Sequence, residues 1–178
     1  MKIIKLQNKS IDDAVEFLNR GGVVIFPTDT VYGFLADASN KKAVAKIYKI
    51  KKRPKLKPLA VFVKDLKMAK TLAEINKKQE KIVKNKWPGK FTFVFKGGKS
   101  TIALRIPKHK FLNILLKKVN KPLAQTSVNT SGQPPLLKIS DIIKQFSKFD
   151  VLLMDGGNLK KSKPSKVLDL VDNKIIRK

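Results

Sequence analysis

Apolar and polar positions divide the chain into short strand-like and helix-like stretches. Lys2 to Leu6 reads as a strand. Ser10, with Asp13 three residues on, marks a helix start as an imperfect capping box, and Gly21-Gly22 mark its end. Val23-Val24-Ile25-Phe26 is a continuous apolar run, the pattern of a buried strand. Asn40 caps a second helix whose apolar stripe is Ala43, Val44, Ile47 and Tyr48. Leu59 to Val63 reads as another buried strand. Two lysine-rich helical patterns then run up to Trp87-Pro88-Gly89. Phe91 to Phe95 and Ile102 to Ile106 read as a strand pair around the turn Gly97-Gly98. Phe111 to Val119 is helical, Leu123 to Ser127 a strand, and Ser140 to Phe146 a helix. Val151 to Met154 and Val167 to Val171 complete the strands. Strands and helices interleave without a strict βαβ rhythm, so the pattern predicts an α/β layer fold around a mixed sheet.

Composition narrows the function classes. A chain of 178 residues predicts one domain with a sizeable core. The net charge of +27, from 40 Lys+Arg against 13 Asp+Glu, suits polyanions: RNA, nucleotides or an acidic membrane face. A plain alternative stays open, because lysine supplies nearly all of that charge and solvated lysines need no ligand. Without cysteine there are no disulfides, thiolate metal sites or cysteine nucleophiles, and a lone His109 forms no histidine cluster. No apolar run reaches membrane-spanning length and no signal-peptide core opens the chain, so the expectation is a soluble, cytoplasmic protein without membrane contact.

Arginine is scarce: Arg20, Arg53, Arg105 and Arg177 are the whole set. Arg53 follows an amphipathic helical pattern that Pro54 cannot continue. Its planar fork suits carboxylate or phosphate in a way lysine does not copy, so Lys51-Lys52-Arg53-Pro54 reads as an anion site at a helix exit. If that segment is extended, Lys51 and Arg53 point one way and Lys52 the other. By the same spacing Ser127 and Asn129 face one side as donors to an oxyanion. Two cations and two neutral donors suit a polyphosphate and its developing charge. Pro27 to Gly33 leaves a buried strand rich in small polar groups; taken alone it is a turn. Arg105 lies inside an apolar strand and needs a partner, either a ligand or a structural Asp or Glu. Pro164-Ser165 alone is a plain turn. Neither a Walker-type loop nor a Rossmann glycine fingerprint is present.

In this order the motifs resemble the TsaC/YrdC family of threonylcarbamoyl-AMP synthases. The match runs from Gly21 to Gly33, through Lys51-Lys52-Arg53-Pro54, Trp87-Pro88-Gly89 and Leu104-Arg105-Ile106-Pro107, to Ser127-Val128-Asn129 and Pro164-Ser165. The resemblance implies a YrdC-like fold, a twisted open mixed sheet flanked by helices, in a single domain over 1–178. It implies formation of threonylcarbamoyl-AMP and pyrophosphate from L-threonine, bicarbonate (or carbon dioxide) and ATP, with Mg²⁺ on the phosphates. The product serves tRNA modification at the adenosine beside the anticodon, through downstream tRNA threonylcarbamoyltransferase proteins. Carried over by motif, Lys51, Arg53, Ser127 and Asn129 form a catalytic tetrad. Arg53, Thr101, Ser127 and Arg177 would contact ATP, and Thr28, Arg105, Gln125 and Ser165 would hold threonine. Lys57, Phe62, Lys90 and Lys166 depart from the usual family residues, Phe62 standing where a histidine is common. A non-catalytic protein of the same fold, binding tRNA or double-stranded RNA through its basic surface, is the alternative.

Overall fold

A computed structural model describes residues Met1–Arg177, and within them ten strands join one mixed sheet. In chain order the elements are β1 (Lys2–Lys5), α1 (Ile11–Asn19), β2 (Val24–Phe26), β3 (Gly33–Asp37), α2 (Lys41–Lys51) and β4 (Ala60–Phe62). They continue with α3 (Leu66–Leu72), α4 (Lys77–Lys84), β5 (Phe91–Gly97), β6 (Ser100–Arg105), α5 (Lys110–Val119) and β7 (Leu123–Ser127). The last are α6 (Ile139–Phe146), β8 (Leu152–Asp155), β9 (Lys166–Asp169) and β10 (Lys174–Arg177). The strand order is β1-β8-β2-β3-β7-β4-β6-β5-β9-β10. β1 and β2 flank β8 in parallel, β4 pairs parallel with β6 and β5 with β9, and the other neighbours are antiparallel. The expected open mixed sheet with flanking helices is the observed architecture.

Two strands escape the sequence pattern. β3 is buried along its whole length, yet its Gly33-Phe34-Leu35-Ala36-Asp37 begins inside what reads as a polar turn and shows no alternation. β10 is exposed along its whole length and offers no apolar face to signal it. The start of α1 also differs. Ser10 has helical backbone angles and makes no cap; its Oγ instead donates to the Gln7 carbonyl at 2.9 Å and accepts the Gln7 N–H at 3.0 Å. The hydroxyl closes a turn before the helix. Elsewhere the cap chemistry holds: Asn40 Oδ1 accepts the Ala43 N–H at 3.1 Å, and Gly21, at φ +74°, ends α1.

The period of two assigns the faces of the sheet. Val61, Leu104, Phe93 and Phe95 meet α3 and α4, and Ile25, Phe34 and Ala36 meet α2 and α6. On the opposite face α1 and α5 cover Val24, Leu35, Phe62 and Leu123. That face continues past Phe62 through Ala60, Ala103, Arg105, Gln125, Thr92 and Val94, and there a cavity opens. Of the described helical residues only Lys51, at the end of α2, lines it. Among the described residues no helix is long and apolar enough to cross a membrane.

Candidate active site

The cavity, about 410 Å³, is lined by residues of β4, β5, β6, β7, β9 and β10 and walled by loops at strand ends. It gathers Lys51, Arg53, Arg105, Gln125, Ser127, Asn129, Ser165 and Arg177, eight of the ten residues singled out from the sequence. Thr28 and Thr101 do not line it. The Thr28 hydroxyl closes its own turn, donating to the Val31 carbonyl at 2.8 Å and accepting the N–H groups of Thr30 and Val31. Thr101 is exposed in the β5–β6 hairpin, paired with Lys96.

Lys51 and Arg53 reach the cavity by a route other than strand alternation. Lys51 is the last residue of α2, and Lys52 takes the left-handed conformation at φ 52°. The Arg53 N–H bonds the Tyr48 carbonyl at 2.9 Å and the Lys52 N–H the Lys49 carbonyl at 3.2 Å. This double closure is a Schellman turn, and the αL residue swings Arg53 back toward the side Lys51 occupies. The segment is not extended, and Lys52 points to solvent because of the turn. The Arg53 guanidinium donates from Nε to the Lys57 carbonyl and from Nη2 to the Pro58 carbonyl, both at 2.9 Å. Nη1 makes no bond to the described residues.

Lys51 is 2% exposed. Its Nζ lies 2.7 Å from the Ser127 carbonyl, 3.5 Å from Ser127 Oγ, 3.2 Å from the Asn129 carbonyl and 2.5 Å from Asn129 Oδ1. Burial, and then the Arg53 charge, push the ammonium down to about 8. Ser127 Oγ donates to Asn129 Oδ1 at 2.8 Å, so the two side chains share one side of the chain. Asn129 Nδ2 donates to the Thr130 and Gln133 carbonyls. Asn129 is therefore committed to its own loop and offers no free donor.

Arg105 takes the structural partner its strand position demanded. Its Nη2 meets Asp29 Oδ1 at 2.6 Å, Nε donates to the Gly89 carbonyl at 2.9 Å, and Nη1 lies 3.5 Å from Thr30 Oγ1. The guanidinium lies over the Phe62 ring at 5.6 Å, so Phe62 supports it from an apolar face. Trp87-Pro88-Gly89 thereby gains a role: the Gly89 N–H is fixed to the Ile106 carbonyl, and the Gly89 carbonyl aims the arginine. Sequence reasoning missed Asp29, although it sits inside the Pro27–Gly33 motif. It also missed Thr92, whose alternation against Phe91 and Phe93 was a usable signal. Thr92 Oγ1 lies 2.9 Å from Ser165 Oγ, which accepts from Arg177 Nη2 at 3.1 Å; Arg177 Nε donates to the Ser165 carbonyl at 2.8 Å.

The cavity is cationic, and among the described residues the carboxylate beside it is Asp29, already bound to Arg105 and to the Lys108 N–H. Among the described residues no group of three or more His, Cys, Asp or Glu is placed to hold a metal. The donor set does not fit a protein-held Mg²⁺; such an ion would have to be held by phosphate oxygens. The arrangement suits a ligand with several negative charges, gripped by arginine forks and small hydroxyls at the ends of strands.

Comparison with known proteins agrees with this geometry. The Sua5/YciO/YrdC family model, described as telomere recombination, matches residues 16–178. A relative from Methanocaldococcus jannaschii is 35% identical over 99% of this chain and 89% of its own. The Coxiella burnetii threonylcarbamoyl-AMP synthase is 32% identical, covering 95% of this chain and 97% of that protein. The structure of Pyrococcus abyssi Sua5 complexed with L-threonine superposes with a TM-score of 0.86 at 30% identity over 96% of this chain, which spans 53% of that one. E. coli YciO gives a TM-score of 0.89 at 27% identity over 99% of this chain and 93% of its own. With the motifs, the sheet and the cavity all in agreement, this chain belongs to the Sua5/YciO/YrdC family.

Proposed function

We infer that the chain is a threonylcarbamoyl-AMP synthase. The observation that carries the reading is the convergence of Lys51, Arg53, Arg105 and Arg177 on one cavity, with Ser127, Ser165 and Gln125 between them and no free carboxylate among the lining residues. Every reactant is anionic or becomes so. Threonine, bicarbonate and ATP give threonylcarbamoyl-AMP, pyrophosphate and water. The threonine amine is first carboxylated; a carbamate oxygen then attacks the α-phosphorus as its bond to the pyrophosphate oxygen breaks. No protein nucleophile is required, so rate comes from positioning and charge stabilisation. Arg105, already oriented by Asp29, would take the threonine carboxylate, with Gln125 and Ser165 beside it. Arg53, Ser127 and Arg177 would take the phosphates of ATP, whose Mg²⁺ would ride on the nucleotide. The likeness to a Sua5 complexed with L-threonine and to named synthases supports this reading. The setting would be the cytoplasm, and proteins that transfer the group to tRNA would take the product.

The test is pyrophosphate release from ATP with threonine and bicarbonate. Release that requires both supports the synthase. Release equally fast without threonine, or none at all, sinks it. The RNA-binding alternative has one observation in its favour, the +27 net charge. An affinity for tRNA that is indifferent to salt would contradict phosphate-driven binding.

A further inference from the structure

Lys51 is enclosed by the end of β7 and the loop that follows it. Its ammonium meets the carbonyls of Ser127 and Asn129, Ser127 Oγ and Asn129 Oδ1, and its own carbonyl accepts the Ser131 N–H at 2.8 Å. An ammonium has three donors, and four oxygens already lie within 3.5 Å of this one. The residue is 2% exposed, although it borders the cavity. It also sits at the C-terminus of α2, where the helix dipole favours a cation. A lysine bound to a phosphate would have to abandon these contacts. Arg53, with Nη1 unengaged, would not.

We propose that Lys51 is a positioning residue that acts through Ser127 and Asn129 and never touches ATP. The proposal rests on the synthase reading and divides its four-residue constellation in two: Arg53 and Ser127 contact the nucleotide, while Lys51 and Asn129 build the loop. The hydrogen bonds supply the mechanism. The Ser127 hydroxyl proton now points to Asn129 Oδ1. To serve a phosphate it must rotate away, which would leave a buried amide oxygen short of a donor. The Lys51 N–H on the same Oδ1, at 2.5 Å, keeps that oxygen satisfied. Lys51 therefore frees the Ser127 hydroxyl to donate to the ligand.

Three readouts test this. The first is the ¹⁵Nζ resonance of the buried Lys51 ammonium in the wild-type protein. Saturation with ATP gives a ³¹P coupling across a hydrogen bond to an Arg53 side-chain nitrogen and none to Lys51 Nζ; a coupling between Lys51 Nζ and a phosphorus overturns the proposal. The second is Lys51→Met, which lowers kcat by about a hundredfold, the loss typical of a disabled oxyanion donor. Its dissociation constant for ATP stays within about threefold, less than the loss of a hydrogen bond to a charged group. Weakening of ATP binding by far more, with kcat kept, overturns the proposal. The third is the double variant Lys51→Met/Asn129→Ala, which loses no more activity than either single variant because the two act as one unit. Multiplying losses overturn it. If Lys51→Met does not fold, the resonance experiment decides alone. A wild-type protein that binds no ATP overturns the proposed function itself, a result distinct from bound ATP whose phosphorus couples to Lys51 Nζ.

Discussion

Arg105 and Lys51 are both 2% exposed and both line the cavity, but they are charged on different terms. Arg105 has a carboxylate: Asp29 lies 2.6 Å away, so the pair is close to neutral. Burial lowers its pKa, Asp29 works against that, and the Arg177 charge lowers it further. Lys51 has oxygens but no carboxylate among the described residues, and its pKa falls to about 8. The paired cation is a fixed directional clamp, with two of its three nitrogens tied at short range by Asp29 and Gly89. The lone cation keeps its charge uncompensated inside the cavity wall. One region of the site supplies a clamp that faces the ligand, and the other orders the segment that carries Ser127 and Asn129. A site for a carboxylate and a polyphosphate needs both.

Removing a charge partner breaks the comparison hardest. Asp29→Asn leaves Arg105 buried without its carboxylate, a loss of about 3–5 kcal/mol of stability. In a chain of this length that lowers Tm by roughly 6–20 °C, read by thermal unfolding. A drop no larger than that of a surface substitution would show that the clamp is not an ion pair. Arg53→Lys keeps the charge and loses the fork, so kcat/KM falls about a hundredfold, roughly 3 kcal/mol of transition-state stabilisation. Turnover near wild type in the pyrophosphate assay would refute the role.

The lone cation is tested by pH. Unfolded lysine titrates near 10.5 and folded Lys51 near 8, so between those values the unfolded chain carries the extra proton. Wild-type stability relative to Lys51→Met therefore rises from pH 8 to about 10.5 and is flat below 8. Urea midpoints of the two proteins measure it; a difference that stays constant across that window would mean the ammonium is compensated after all. The smallest effect belongs to the neighbour between the two active side chains. Lys52→Gly relieves a left-handed non-glycine residue and adds about 1 kcal/mol, raising Tm by about 2–4 °C.

Much of this was legible in the residues because apolar spacing and turn chemistry are local. β7 falls on Leu123–Ser127 as read, α2 starts at its Asn40 cap, and Gly21 closes α1. β3 was hidden because burial on both faces removes the alternation that marks a strand, and β10 because all of its residues lie exposed. The site was legible as a set of residue types and not as a network. Nothing local in Lys51-Lys52-Arg53 tells a left-handed turn from an extended segment, since the conformation usually given to glycine is here forced on lysine. Nor does spacing reveal that Asn129 spends its donors on Thr130 and Gln133, or that Asp29 faces Arg105 across 76 residues. Those pairings belong to the strand order, which joins β2, β7 and β6 through neighbours distant in sequence.

β10 carries Arg177 into the cavity, yet among the described residues it is the outermost strand on its side, laddered to β9 alone and tied beyond it by the Arg177 guanidinium to Ser165, with a register shift between Ile175 and Arg177 and both Ile175 and Ile176 exposed. Exposed edge strands belong to the low-stability end of a fold, where local opening costs less than global unfolding. A ligand that engages Arg177 would add to the contacts that keep this strand paired. Thermodynamic reciprocity then ties occupancy to amide exchange: a ligand that engages Arg177 slows exchange along Lys174–Arg177, and a β10 held closed tightens that ligand by the same factor. The edge of the sheet becomes a reporter of the site's occupancy, readable strand by strand without any chemistry taking place.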